Sequence, residues 1–369
     1  MSNKPISRRL FLEHLSVTAA LAVTPVWARA AQSPPAKKLG VALVGLGNYS
    51  TRELGPALRE TQLCRLTGVV TGSREKGEQW ARDYGFAQKS IYSYDTMARI
   101  AEDSAIDIVY VVTPNGLHAE HAIAAAKAGK HVILEKPMCN TVAECDAVLA
   151  ACKTAKVRHS IGYRLFWDPY HAELRRLARE EEFGPFKKMK GDRAFVMSTW
   201  RWRADKKLAG GGPLMDLGIY LIQGACMAKN GVAPAFVTAH ELPKTRPDIS
   251  RDTEETLQWT MEWPDGAVAE FSTSYQQDFD HFRAEAAKGW IDFQEHAFGY
   301  KVGPVSTSRG ALHYPAPYQQ ALQMDDFAQC IQTGRATPVP GEMGRRDLTI
   351  IEAIYRASAS GRREAVKAS

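Results

Sequence analysis

Leu39-Gly40-Val41-Ala42-Leu43-Val44-Gly45-Leu46-Gly47-Asn48-Tyr49-Ser50 is an apolar run that breaks into a glycine turn. A strand without polar alternation is buried on both faces, which is the habit of parallel sheets. Arg52–Glu60 follows with helical character, so the turn joins a strand end to a helix start. Gly45 suits the tight turn. Gly47 lets the backbone approach a pyrophosphate, whose charge a helix N-terminus favours. The third fingerprint position is Ser50, small but neither glycine nor alanine. This context predicts that Gly45, Leu46, Gly47, Asn48 and Tyr49 bind a dinucleotide.

The same alternation continues outward. Strands are expected at Leu39–Gly45, Leu66–Thr71, Asp107–Val112, His131–Leu134 and Val157–Gly162, with helices at Arg74–Tyr84, Leu117–Ala128 and Thr141–Lys153. Apolar strands alternating with helices give an α/β, doubly wound (Rossmann) domain over residues 39–162. The pattern then changes. A helix at Tyr170–Arg179 and a strand at Phe186–Val196 precede a glycine loop, Gly210-Gly211-Gly212-Pro213, and a helix running to about Ala228. Runs at Phe236–His240, Thr256–Trp263, Val268–Tyr275 and Phe282–Phe293 are joined by turn chemistry such as Pro264-Asp265-Gly266. Strand after strand means an open, mainly antiparallel sheet, so residues 163–369 read as a second, α+β domain. Helices near Gln319–Gln332 and Gly344–Ser360 close the chain.

The end of the second strand reads Thr71-Gly72-Ser73-Arg74-Glu75-Lys76. An NAD-binding protein places a carboxylate there for the ribose hydroxyls. Hydroxyls and cations in its place suit a 2′-phosphate, hence NADP. Ser73 can equally cap the next helix, and the two readings are compatible.

His131–Leu134 ends in Glu135-Lys136-Pro137, at the carboxyl ends of the strands where doubly wound sheets hold their ligands. The bland alternative is a Glu–Lys pair on the rim. Asp216 and Tyr220 lie four residues apart on one helix and share a face. Oxidising an alcohol needs a base for the hydroxyl proton. Tyrosine, with an ordinary pKa near 10, serves only beside a cation. Lys136, Asp216 and Tyr220 are therefore the expected catalytic and substrate-binding set. Gly211 and Gly212 read as places where a ligand approaches the backbone.

The chain has 369 residues and a formal charge of +6, of which the first 31 residues carry +3. The rest has no clustered basic face, which argues against nucleic acid as a partner. Ser7-Arg8-Arg9-Leu10-Phe11-Leu12, an apolar run to Trp27 and Ala28-Arg29-Ala30 read as a twin-arginine export signal over residues 1–31, followed by an arm at 32–38. The run is too short and too diluted for stable membrane insertion. The expected location is the periplasm. Six cysteines show neither Cys-x-x-Cys nor metal spacing, so buried free thiols and no metal are expected.

Gly45–Tyr49, Thr113-Pro114-Asn115-Gly116-Leu117-His118, Glu135-Lys136-Pro137, Gly162-Tyr163-Arg164, Trp200-Arg201-Trp202-Arg203 and Ala209–Tyr220 resemble the Gfo/Idh/MocA family. Within it they are most similar to the glucose–fructose and aldose–aldose oxidoreductase subgroup. The likeness covers almost the whole chain. It implies a catalytic trio at Lys136, Asp216 and Tyr220. It implies cofactor contacts at Thr71, Ser73, Lys76, Tyr94, Thr113, Pro114, Asn115, His118 and Glu135, and from the second domain at Arg164, Trp200, Arg201 and Tyr300. Tyr163 would border the sugar or simply pack. His118 could be a helix-start residue, and Trp200 with Trp202 a strand edge. The resemblance further implies a homodimer through the C-terminal sheet and a tightly bound NADP. One aldose would be oxidised at C1 to a lactone and a second sugar reduced to an alditol. The competing readings are a sugar dehydrogenase with exchangeable NADP, an NAD-dependent glycosidase of the same fold, and a sugar-sensing module.

Overall fold

The computed structural model describes residues 37–367. The export-signal reading at 1–31 and most of the 32–38 arm lie outside the described residues. β1 (Leu39–Val44) is the apolar run quoted above, and Val41 to Val44 are fully buried. It pairs in parallel with β2 (Cys64–Val70) and β4 (Ile108–Val111). β3 (Ile91–Tyr92), β5 (His131–Leu134) and β6 (His159–Ile161) complete a six-stranded parallel sheet of order 3-2-1-4-5-6. The order reverses direction at β1, and that reversal opens the crevice at the strand ends.

Helices cover both faces. α1 (Gly55–Glu60) is preceded by a π turn at Ser50–Leu54. α2 (Arg74–Tyr84) is capped by Ser73, whose hydroxyl accepts the Lys76 N–H. α3 (His118–Lys127) is the alanine-rich helix. α4 (Val142–Ala155) starts with a capping box between Thr141 and Glu144.

The second half begins with α5 (Pro169–Glu180) and β7 (Lys188–Ala194). A short α6 (Lys206–Ala209) and a π turn at Leu214–Gly218 lead into α7 (Ile219–Ala228). β8 (Phe236–Glu241), β9 (Thr256–Glu262), β10 (Val268–Ser274), β11 (Phe279–Ala286), β12 (Gly289–Phe293), β13 (Val305–Thr307) and β14 (Gly310–Leu312) follow. With β7 and β15 (Glu364–Ala365) they form a nine-stranded sheet. Its pairs are antiparallel except β7 with β10, so the sheet is mixed but mainly antiparallel. α7 is apolar almost all round and buried along its length, with Tyr220 the residue that reaches out.

α8 (Gln319–Thr333) returns to the first half. Met324, Phe327 and Ala328 share one core with Val41, Leu43, Ile108 and Ile133. The Asp325 carboxylate accepts the Gln62 and Leu63 N–H groups. α9 (Gly341–Ser360) packs on α4 and β8. All six cysteines are buried and free. Among the described residues no helix is long and apolar enough to cross a membrane.

Candidate active site

The glycine turn folds as its residues require. Gly45 has φ of 97°, the left-handed region that side chains avoid. The Ser50 hydroxyl donates to the Gly45 carbonyl at 2.6 Å from a fully buried position, so the unusual third residue closes the turn itself. Helical backbone starts at Asn48 and Tyr49. Gly47 is exposed, and a Cβ there would meet nothing within 4 Å, which leaves room for a pyrophosphate against the helix start.

At the end of β2, Thr71 accepts the Ser73 N–H and Lys76 Nζ donates to the Leu46 carbonyl at 2.8 Å. Thr71-Gly72-Ser73 carries no carboxylate. The Tyr94 ring lies beside Gly72 and stacks on His121, with centroids 5.2 Å apart. These residues fit a dinucleotide: an open glycine turn, hydroxyls and an ammonium at the ribose end, and an aromatic wall.

β5 delivers Lys136 to the centre of the cleft. Its Nζ donates to the Asp216 backbone carbonyl at 2.9 Å, stands 3.7 Å from the Asp216 carboxylate and lies 4.5 Å from the Tyr220 ring centroid. Arg203 Nε binds the other Asp216 oxygen at 3.1 Å. Burial alone would raise the Asp216 pKa, but Arg203 and Lys136 outweigh it and hold the carboxyl below the ordinary aspartate value. Burial also works against an ionised Tyr220. Lys136, Arg164 and Arg193 outweigh it and bring the phenol below the ordinary tyrosine value. A phenol acidified by cations is the base that alcohol oxidation needs.

A family model described as an oxidoreductase family with an NAD-binding Rossmann fold matches residues 39–163, and the GFO/IDH/MocA C-terminal domain matches residues 171–292. The crystal structure of aldose-aldose oxidoreductase from Caulobacter crescentus is 37% identical, covers 89% of this chain and 100% of its own, and superposes with a TM-score of 0.83. The chain belongs to the Gfo/Idh/MocA oxidoreductase family. D-xylose 1-dehydrogenase [NADP(+)] of Haloarcula marismortui is 25% identical over 86% of this chain and 90% of that protein. Levoglucosan dehydrogenase in complex with NADH and levoglucosan shares the fold at 23% identity, covering 89% of this chain and 100% of its own with a TM-score of 0.76.

Within this Gfo/Idh/MocA frame several expected contacts are turned elsewhere. Tyr163 packs: its ring is buried and its hydroxyl donates to Asp347 at 2.6 Å, inside the core. Gln223 and Arg346 bind the same carboxylate. Tyr163→Phe should therefore leave kcat and KM near wild type while costing about 1 kcal/mol of stability in a thermal or denaturant melt. A large activity loss with an unchanged melt would return Tyr163 to the sugar face.

His118 is also buried rather than lining the cleft. Its two ring nitrogens face the Thr113 and Pro137 carbonyls at 2.8 and 2.9 Å, and the neutral ring donates to one of them from between the two cleft loops. Burial drives its pKa down to about 4, against the pull of those carbonyls. Asn115 donates to the Ala209 carbonyl at 2.9 Å and braces α6. The Glu135 carboxylate is no rim partner of Lys136. It is turned into the sheet, where it accepts from the Tyr110 hydroxyl at 2.6 Å and from the Lys136 N–H at 3.2 Å.

Arg164 is buried, and its guanidinium donates to the Phe298 and Gly299 carbonyls and to Gln319. It lies 4.4 Å from the Tyr300 ring, which in turn stacks on Tyr49 across the cleft at 6.2 Å. Arg164 thus sets the Tyr300 loop. Thr113 is buried beside Gly45 and bonds His121, while Pro114 is half-buried. Trp200 is half exposed and Arg201 exposed, on the loop that leads to Arg203.

Gly211 and Gly212 do not serve a ligand. A Cβ on Gly211 would come within 1.9 Å of the Tyr355 hydroxyl, and one on Gly212 within 2.3 Å of the Glu254 carbonyl. They admit the packing of the helix start. The Glu254 carboxylate accepts the Gly212 and Leu214 N–H groups at 2.9 and 3.0 Å and the Tyr355 hydroxyl at 2.9 Å. Arg203, Glu254, Arg193, His121 and Tyr275, whose hydroxyl donates to the Asp216 carboxylate at 3.5 Å, escaped the sequence reading. Only Arg203 and His121 carried a signal: one ends the Trp-Arg-Trp-Arg run, and the other sits one turn past His118.

Proposed function

We propose that this chain is an NADP-dependent sugar oxidoreductase that oxidises an aldose at C1 to a lactone and reduces a second sugar to an alditol without releasing its cofactor. The observation that carries the reading is the Lys136 ammonium set between Asp216 and the Tyr220 ring at the strand ends. When bound, the nicotinamide supplies the hydride acceptor. Tyr220 takes the proton of the anomeric hydroxyl and later returns it to the carbonyl oxygen of the acceptor sugar. Lys136 keeps the phenol acidic through that exchange. Asp216, fixed by Arg203 and Lys136, accepts a neighbouring sugar hydroxyl and sets which carbon faces the transfer. The similarity to an aldose-aldose oxidoreductase supports paired sugar chemistry, and the NADP-dependent xylose dehydrogenase supports the cofactor.

Three further features belong to the same proposal. The protein is exported by the twin-arginine route to the periplasm, where a retained cofactor removes dependence on a free pool. It forms a homodimer through the outer face of the nine-stranded sheet. That face carries a concavity of about 510 Å³ lined by Lys190, Asp192, Gln258 and Glu270, none of them in the Lys136 cluster. Ser73 and Lys76 hold the 2′-phosphate. Lys76→Ala should raise the KM or Kd for NADP about 10- to 100-fold, the worth of one charge-assisted bond, and leave NAD binding nearly unchanged. Equal losses for both nucleotides would remove Lys76 from the 2′-phosphate.

The test of the whole reading uses purified full-length protein. After denaturation it should release NADP or NADPH. Given an aldose and no added cofactor, it should form lactone and alditol in equal amounts. Product only when NADP is supplied would overturn the paired reaction in favour of an exchangeable dehydrogenase. Cleavage of an aryl glycoside would overturn it in favour of a glycosidase.

A further inference from the structure

Three cations surround the Tyr220 ring, and the proposed chemistry uses one of them. Lys136 comes from the end of β5 and is engaged with Asp216. Arg164 stands 5.6 Å from the centroid, its donors shared among the Phe298 and Gly299 carbonyls, Gln319 and the Tyr220 hydroxyl. Arg193 is nearest: its guanidinium carbon lies 4.2 Å from the Tyr220 centroid and 5.3 Å from that of Phe298.

The strand pairing shows why Arg193 is there. β7 and β11 place Arg193 and Asp280 directly opposite each other, so their side chains share a face. They form an ion pair at 2.9 Å with both side chains largely buried. The Asp280 carboxylate also accepts the Phe298 N–H. The pair therefore ties strand β7 to the loop that carries Phe298 and Tyr300. Arg193 Nε is buried without a hydrogen-bond partner among the described residues. A desolvated guanidinium with a donor to spare, set over a ring, is an expensive arrangement for mere packing.

We propose that Arg193, clamped by Asp280, is a positioning residue that presses Tyr220 against Phe298 and stabilises its phenolate through the ring face. This rests on Tyr220 being the base. The attraction of a cation for a ring face grows when the ring carries a negative charge, so Arg193 favours the ionised form over the neutral one. The groups facing Tyr220 are Lys136, Arg164 and Arg193 on the cationic side, with the buried Glu135 opposing them, and the Tyr49 and Tyr300 phenols, whose own ionisation burial pushes above the ordinary tyrosine value. Phe298 supplies an uncharged wall 5.9 Å away.

The experiment is a pH titration of phenolate absorbance, taken as the difference between each protein and its Tyr220→Phe partner, so that Tyr220 alone is read. Arg193→Gln should raise the Tyr220 midpoint by roughly one pH unit, a tenfold change in proton affinity, and Arg193→Lys should restore most of it. The alkaline-rising limb of the oxidation rate should move with it. Asp280→Asn keeps an oxygen that accepts from the guanidinium, so the clamp stays while its counter-charge goes, and should shift the midpoint the other way. It decides the matter if Arg193→Gln fails to fold. An unchanged Tyr220 midpoint in a folded Arg193→Gln or Asp280→Asn protein overturns the proposal. Full turnover by Tyr220→Phe would instead overturn the assignment of the base, and the titration would still report on Arg193.

Discussion

Tyr220→Phe is expected to lower turnover about 10²- to 10⁴-fold, the usual worth of a general acid–base group, with the protein folded as before. The variant loses one oxygen and keeps the ring. The ring is what Lys136 and Arg193 lie against and what packs beside Phe298, so the surroundings have little to rearrange. The melt should shift by no more than a surface substitution would, within about 0.5 kcal/mol. The wild-type oxidation rate should rise as pH climbs through the Tyr220 midpoint, which the surrounding cations place below the ordinary tyrosine range. That limb should vanish in the variant. Near-normal turnover, with the limb intact, would move the base elsewhere.

Glu254→Ala is expected to destabilise the protein by about 3 kcal/mol or more and to lower kcat as well. The side chain accepts two backbone N–H groups at the entry to the π turn that carries Asp216 and runs into the helix of Tyr220, and the Tyr355 hydroxyl besides. Its removal strands three buried donors where water has little access. Burial lifts the Glu254 carboxyl above its ordinary pKa, although those donors pull it down. Wild-type stability therefore has a component that is complete below the ordinary glutamate pKa and fades as pH rises through the lifted one. The alanine variant should lose that dependence. A denaturant melt against pH reads both effects, and an unchanged midpoint would rule out the brace.

The fold was legible where local signals agree with burial. Arg74–Tyr84 is bounded as its Ser73 cap indicates, and α4 starts where Thr141 and Glu144 make their capping box. The π turn at Ser50–Leu54 carried no sequence mark, because it serves the packing of a turn that Ser50 closes from inside. β3 and β15 have two residues each, too few for any period to show. At the site, Lys136, Asp216 and Tyr220 announced themselves by strand end and helical spacing. Glu254, Arg193 and Tyr275 did not, since what brings them in is sheet register and long-range packing. The reading of Gly211 and Gly212 failed for a related reason: a missing Cβ marks a close neighbour, and sequence alone does not say whether that neighbour is ligand or protein.

The place of α8 bears on the order in which the molecule can be made. Met324 and Phe327 are sealed into the same core as β1 and β5, although nearly three hundred residues of chain separate them from β1. The nucleotide-binding half thus stays unfinished on the ribosome until α8 has emerged. Its first strand must wait for α8, and a transcript broken before Gln319 would yield a chain whose leading half has an open apolar flank and no means of closing it.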